Sequence, residues 1–426
     1  MAEQVSSLMT GIKYKNTPIG KIPVDWEVVS LKDVSEINMG QSPLSEDCND
    51  KGTGLPFYQG NAEFGSKYPI PQKWCDSPKK VANEGDILIS VRAPVGEINI
   101  APHKCGIGRG LAAVNSNAVH DEFLYHSLFL HMKALQKIAQ GSTFEAINRK
   151  ELSELLIFFP PAPEQKKIAK ILTTVGEAIE KTAWIIEKTK EAKNGLMQKL
   201  LTRGIGHKKF KETEIGEIPE EWEVKKLIDI ANNEKYSFTG GPFGSDLKED
   251  SYPDRGIRII QLQNIGDGKF LDEYKIFTSE EKANQLKNCN IYPGDVMIAK
   301  MADPVARACI IPDTEKRYLM ASDGIRLSVN KNEYDVKFVL YAINSPRFRK
   351  NAEKHGTGTT RLRIGLTELK NLPIGIPPLE EQKQIAEILS SADEGIEKEM
   401  NHREQLEALK KGLMQALLTG KIRVSV

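Results

Sequence analysis

Two stretches of the chain carry the same narrow apolar stripe on an otherwise polar background. Pro160 to Thr202 reads PPAPEQKKIAKILTTVGEAIEKTAWIIEKTKEAKNGLMQKLLT. Pro377 to Thr419 reads PPLEEQKQIAEILSSADEGIEKEMNHREQLEALKKGLMQALLT, aligned without a gap at a constant offset of 217. A 4-3 spacing picks out Ile168, Leu172, Ile179, Leu196 and Leu200 in the first copy. It picks out Ile385, Leu389, Ile396, Leu413 and Leu417 in the second. Apolar residues gather at both ends of this seam, and polar ones such as Thr182, Thr189, Glu399 and Arg403 fill its middle. A heptad stripe of this kind predicts a long helix that pairs with another. The alternative is a helix lying on a globular core, which calls for a wider apolar face. Paired prolines precede each copy, acids fall in the first turn, and a glycine with cations follows the last. No proline interrupts either stretch for about forty residues, which predicts rods of roughly 60 Å.

Between and before the rods the pattern changes to short β-type runs. Ile22-Pro-Val-Asp-Trp-Glu-Val and Ile218-Pro-Glu-Glu-Trp-Glu-Val open the two halves as a turn feeding a strand, with Trp26 and Trp222 as core anchors. Gly85-Asp-Ile-Leu-Ile-Ser-Val-Arg92 faces Gly294-Asp-Val-Met-Ile-Ala-Lys-Met, and Gly110-Leu-Ala-Ala-Val faces Gly324-Ile-Arg-Leu-Ser-Val. Both pairs read as strands. Helix-like stretches follow at 121–139 and 336–353, then a Gly/Thr loop in each half. The predicted organisation is α+β: two mixed domains at 1–159 and 204–376, joined by long helices at 160–203 and 377–426 that pair antiparallel as a coiled-coil spacer. The tail of each rod resembles the N-terminal Leu8-Met-Thr-Gly-Ile, so the pseudo-two-fold chain reads like a cut circle.

Composition narrows the chemistry. The 426 residues carry 59 basic and 58 acidic side chains, a net charge of +1, so any basic footprint must be local. No apolar run of roughly eighteen residues marks a membrane span, and the N-terminus lacks the pattern of a signal peptide. Five scattered cysteines argue against a disulfide framework and suit a reducing cytoplasm. Neither a phosphate-binding glycine loop nor a paired zinc motif occurs. His103-Lys-Cys105 reads as a coincidental loop, and Pro312-Asp-Thr-Glu-Lys316 as a polar turn rather than a nuclease cluster. No metal site and no catalytic residue is expected.

Positive charge does concentrate on loops. Ser345 to Arg363 holds six Lys/Arg against the single acid Glu353. It ends in a Thr/Gly loop, where hydroxyls, backbone N–H groups and guanidinium groups suit phosphates, with an arginine free for a guanine edge. The candidate DNA contacts are Arg92, Arg109, Ser142, Thr143 and Arg149 in the first half. In the second they are Lys300, Arg326, Thr359, Thr360, Arg361 and Arg363.

The order of features resembles the specificity subunit of type I restriction–modification systems: variable segment, helix opening PPxxEQ and closing GLMQxLLT, then the same again. The Ile-Pro-x-x-Trp-Glu-Val openings, Gly-Asp-Ile-Leu-Ile-Ser-x-Arg and Gly-Pro-Phe-Gly-Ser are also similar to that family, over essentially the whole chain. The resemblance implies two target recognition domains that each read half of a split, asymmetric double-stranded DNA site. It implies helices that set the spacing and dock two methyltransferase subunits. Restriction and translocation subunits would complete the complex. Catalysis would come in trans, with S-adenosylmethionine, ATP and Mg2+ held by the partners and no cofactor by this chain. Two rivals remain: a stand-alone nuclease or methyltransferase, and a scaffold that binds only protein.

Overall fold

A computed structural model describes residues 13–140, 146–243, 246–247, 252–301, 304–358 and 361–425. The chain divides into two compact units. Unit 1 is Met1–Ala183 with Asn401–Val426, and unit 2 is Trp184–Met400. Each unit thus takes one globular domain and half of each long helix.

Unit 1 is built on two larger sheets, beside the two-stranded pairs Tyr14–Thr17 with Gly20–Pro23 and Glu27–Ser30 with Leu156–Phe159. β1 (Ser35–Met39), β3 (Ile87–Ser90), β4 (Ile98–Ile100) and β6 (Leu111–Ser116) form an antiparallel sheet in the order β4-β3-β6-β1. β2 (Leu55–Tyr58) and β5 (Cys105–Ile107) are the parallel centre of the second sheet, completed by strands of two or three residues. Helix α1 (Asp121–Gln140) covers the first sheet, and the long α2 (Ala162–Arg203) begins beyond it. Alternation along β3 explains the two cores. Ile87 and Ile89 face the helices, while Leu88 faces Leu111 and Ala113 between the sheets.

Unit 2 repeats the plan. β7 (Phe238–Gly240), β9 (Val296–Ala299), β10 (Ala308–Ile310) and β12 (Gly324–Leu327) have the order β7-β12-β9-β10. β8 (Ile257–Ile260) and β11 (Tyr318–Met320) form the parallel pair. The stretch expected as one helix over 336–353 is two, α3 (Val336–Ile343) and α4 (Pro346–Lys354). The break is local: Ser345 caps α4 and Pro346 takes its first position, where a helix can start but not continue. The second long helix, α5, spans Leu379–Leu417.

Within each unit the start of one long helix meets the end of the other, so the pairing is antiparallel. Ile168 and Leu172 share a core with Leu417 and, partly buried, Leu413. Leu200 shares one with Ile385 and Leu389. These apolar ends pack on the domain cores as well as on each other, so both expectations for the stripe apply. Ile396 is buried nearer the middle and Ile179 half-buried. Leu196 is the exception at 39 % exposure, with Met197 packing in its place. A straight helix drifts about 20° per heptad from a 3.5-residue repeat. Four heptads on from Ile168, that drift carries the seam onto the next residue.

The sequence signature Glu-Gln at each helix start has a structural cause. Glu164 accepts from the indole Nε1 of Trp26 (3.1 Å) and from Arg423, which also forks onto Asp25 at 2.9 and 2.7 Å. Arg423 holds the Asp25 carboxyl below its usual range. In unit 2, Glu381 accepts from Trp222 Nε1 (3.1 Å) and faces His207 Nε2 at 2.9 Å. Gln165 accepts from His120 N–H and donates to Pro160 O. Gln382 does the same with Asp335 N–H and Pro377 O. One short motif therefore ties together an opening strand, a covering helix and a long helix.

Equivalent positions of the two junctions diverge behind this motif. In unit 1, His126 meets Thr173 at 3.2 Å, and Lys410 lies over Gly176. Burial first, then the Lys410 charge, pushes His126 down to about 3; burial takes His131 down to about 4. In unit 2, Tyr341, Ser390, Asp393 and Lys193 occupy the corresponding places. Tyr341 donates to Asp393 (2.7 Å), which also receives Lys193 Nζ (2.5 Å).

Candidate nucleic-acid interface

In each unit the strand exits gather into one rim of loops. In unit 1 the chain leaving β1 is held by Gly40 N–H to Leu111 O (2.8 Å) and Gln41 N–H to Ile107 O (3.0 Å). The chain leaving β3 is held by Val91 N–H to Gly110 O (2.9 Å). Ile147 N–H then bonds Val91 O (2.9 Å), and Arg92 bridges to Ala146. Unit 2 reproduces three of these four links, Gly241 N–H to Gly324 O (2.9 Å), Lys300 N–H to Asp323 O (2.8 Å) and Ile364 N–H to Lys300 O (2.9 Å), but not that of Gln41, since Pro242 has no N–H to donate. Its bridge joins Met301 to Arg363. Glycine is forced at the β1 and β7 exits. A Cβ on Gly40 would lie 2.1 Å from Gly108 O, and one on Gly241 1.9 Å from Ala321 O.

This rim collects several of the expected DNA contacts. Arg92 and Arg109 are exposed on neighbouring loops, because the β5–β6 turn carrying Arg109 is bonded to the β3 exit. Arg149, also exposed, opens a short helix three residues after Ala146, behind an Asn148–Glu151 capping box. In unit 2, Arg363 pairs with Asp323 at 3.0 Å while its side chain stays 53 % exposed, and Arg361 is exposed two residues before. Lys300 donates to Ser322 O (3.3 Å). Burial, then the nearby Arg363, lowers its pKa. Phe243, 82 % exposed, stands on the β7 exit of the same rim. Ser142, Thr143, Thr359 and Thr360 lie outside the described residues.

Arg326 has a different setting. Its guanidinium turns to Asp295, before β9, at 2.7 Å, beneath the Tyr292 ring. Lys300 leaves the opposite end of β9. Arg326 is 11 % exposed, so its charge is spent inside the domain. The basic run at 345–363 is likewise partly structural. Arg347 donates to Glu217 O, and Arg349 holds Asp267 and Asn344. Among the described residues no group of three or more His, Cys, Asp or Glu could hold a metal ion. His103 is exposed, Cys105 is buried in β5, and 313–316 form a turn and bend. No helix among the described residues is long and apolar enough to cross a membrane.

Two α+β units, each with a cation-bearing loop rim and each holding half of an antiparallel helix pair, define a duplicated scaffold. The family model described as the type I restriction modification DNA specificity domain matches residues 23–189 and again 219–408. The specificity subunit of type I restriction enzyme MjaVIII from Methanocaldococcus jannaschii is 31 % identical over 412 residues, covering 95 % of this chain and 94 % of the relative. The EcoBI specificity subunit of Escherichia coli is 23 % identical over 402 residues, 88 % of this chain and 82 % of that one. The chain belongs to the family of type I restriction–modification specificity subunits. The crystal structure of an S subunit from M. genitalium shares the fold, with a TM-score of 0.58 at 16 % identity over 98 % of both chains. A second structure, from work on complex assembly and conformational transition of the type I R-M system, gives 0.58 at 18 % identity over 94 % of this chain and 99 % of that one.

Proposed function

We propose that this chain reads a bipartite, asymmetric DNA site for a type I restriction–modification complex, one half-site per unit. The observation that carries this reading is the doubled rim: one backbone frame, two different sets of exposed side chains. At the bridge the arginine comes from the β3 exit in unit 1 (Arg92) but from the opposite partner in unit 2 (Arg363). Identical frames position phosphate contacts alike, and different side chains read different bases. The helix pair sets the distance between half-sites and docks two methyltransferase subunits. Restriction subunits complete the assembly in the cytoplasm. This chain is not a catalyst. S-adenosylmethionine, ATP and Mg2+ belong to the partners, as does the cost of flipping the target base.

The test is to co-express the chain with its methyltransferase subunit and map N6-methyladenine in host DNA by long-read sequencing. One split motif, absent without this chain, is expected. An assembled complex with no motif would leave a protein-only scaffold as the better account. Methylation or cutting by the purified chain alone would favour an enzyme. Inserting one heptad in each helix should change the gap between half-sites and leave both half-site sequences unaltered.

A further inference from the structure

The strand register reveals a correspondence that the sequence repeats do not. In unit 1 the parallel pair ends with Ile107 beside Tyr58, and Gly108 N–H bonds Tyr58 O (2.8 Å). In unit 2 it ends with Met320 beside Ile260, and Ala321 N–H bonds Ile260 O (2.9 Å). The next residue is a glutamine in both: Gln59 and Gln261. Each then runs into a 3-10 turn.

Both glutamines are oriented by their surroundings. Gln59 is exposed and lies across Gly108, where a Cβ would come within 2.7 Å of its Oε1. Its Nε2 donates one hydrogen to Ser42 Oγ at 3.0 Å and its Oε1 accepts from the same hydroxyl at 3.4 Å, leaving a second N–H and one lone pair of the carbonyl oxygen. Gln261 is half-buried. Its backbone N–H is fixed by Oδ1 of the fully buried Asn264 (3.0 Å), and its Oε1 accepts from Gln263 at 3.3 Å. Gln59 sits one backbone link from the rim arginine's frame, whereas Gln261 O closes its own turn by accepting from Asn264 N–H (2.9 Å). Gln59 O accepts from Gly110, whose own carbonyl holds the β3 exit before Arg92.

Resting on the two-reader function proposed above, we infer that Gln59 and Gln261 are paired specificity residues, each presenting its carboxamide to one base edge of its own half-site. The base is adenine, whose N6 donor and N7 acceptor match a carboxamide. The arginines hold the backbone while the glutamines select.

The experiment uses the assembled complex with Gln59→Ala, Gln59→Met, Gln261→Ala or Gln261→Met, and the same methylation map. Met keeps the side-chain length without the amide, and any methylation at all shows that the complex assembled. Each Gln59 variant should relax one A·T position of one half-site roughly tenfold or more, leaving the other half-site as in the wild type. Gln261 variants should do the reverse. An unchanged motif, or a uniform fall over all sites, would overturn the inference, and relaxation at a G·C position would overturn the adenine assignment. If the wild-type complex itself gives no split motif, the underlying function fails instead.

Discussion

The two units solve the same joining problem with different chemistry. Unit 2 closes its covering helix onto the long helices through an acid, Asp393, that receives both Tyr341 and Lys193. Unit 1 has Gly176 at the place of Asp393, and its lysine, Lys410, faces a neutral, buried His126 instead. The clasps differ in the opposite sense. Glu164 is locked by a guanidinium that keeps its charge at every working pH, whereas Glu381 faces an imidazole. A symmetric backbone therefore does not require symmetric energetics. Each unit has one strongly charge-paired joint, at a different position.

The sharpest way to break that comparison is at the clasps. Glu164→Ala would strip the acceptor from Trp26 and leave Arg423 with Asp25 alone, so about 3 kcal/mol of stability should be lost. Glu381→Ala should cost about 2 kcal/mol. Urea unfolding of both variants measures the gap, and an equal or reversed order would sink this asymmetry.

Acid should single out unit 1. A histidine whose folded pKa is depressed contributes stability that is complete above its unfolded value of about 6.5 and fades as pH falls towards the folded one. For His126 that window runs from about 6.5 down to about 3. The loss between pH 7 and 5 is about 2 kcal/mol. Hydrogen exchange at the two pH values should show the core around Phe123 and Leu172 opening more than the core around Phe338 and Leu389. His131, lowered to about 4 in the same unit, acts in the same direction, and equal opening would remove both histidines as the cause.

The difference can also be copied across. Gly176→Asp places a carboxylate beside Lys410, whose Nζ lies 3.4 Å from the position of the new Cβ, and replaces a mid-helix glycine. A gain of about 1 kcal/mol in thermal or urea unfolding is expected. The smallest effects lie at the rims. Arg92→Ala or Arg363→Ala should each flatten the log-affinity versus log-salt slope by about one unit. A slope unchanged by both would take the bridge off the list of phosphate contacts.

Much of this architecture is legible in the chain. The ungapped rod repeat and the Trp openings expose the duplication, because scaffold positions tolerate little change in volume or hydrogen bonding. Trp26 and Trp222 are both fully buried and both donate to the motif glutamate. What is hidden depends on three-dimensional register. Gln59 and Gln261 align only once strands are paired, since loops of unequal length separate them from every repeated motif. Arg326 looks like its basic neighbours in sequence, and only the fold reveals Asp295 beside it. Leu196 obeys the heptad count, yet helical drift turns it outward.

The division of the long helices has a consequence for synthesis. Unit 2 is one unbroken stretch, Trp184–Met400, whereas unit 1 is complete only with Asn401–Val426. Leu417, Leu418 and Arg423 of that last stretch fill the core and clasp of the first domain. During translation from the N-terminus, the earlier domain emerges without its closing segment and must wait while the later one is made. On the ribosome, the domain that emerges first is the last to be finished.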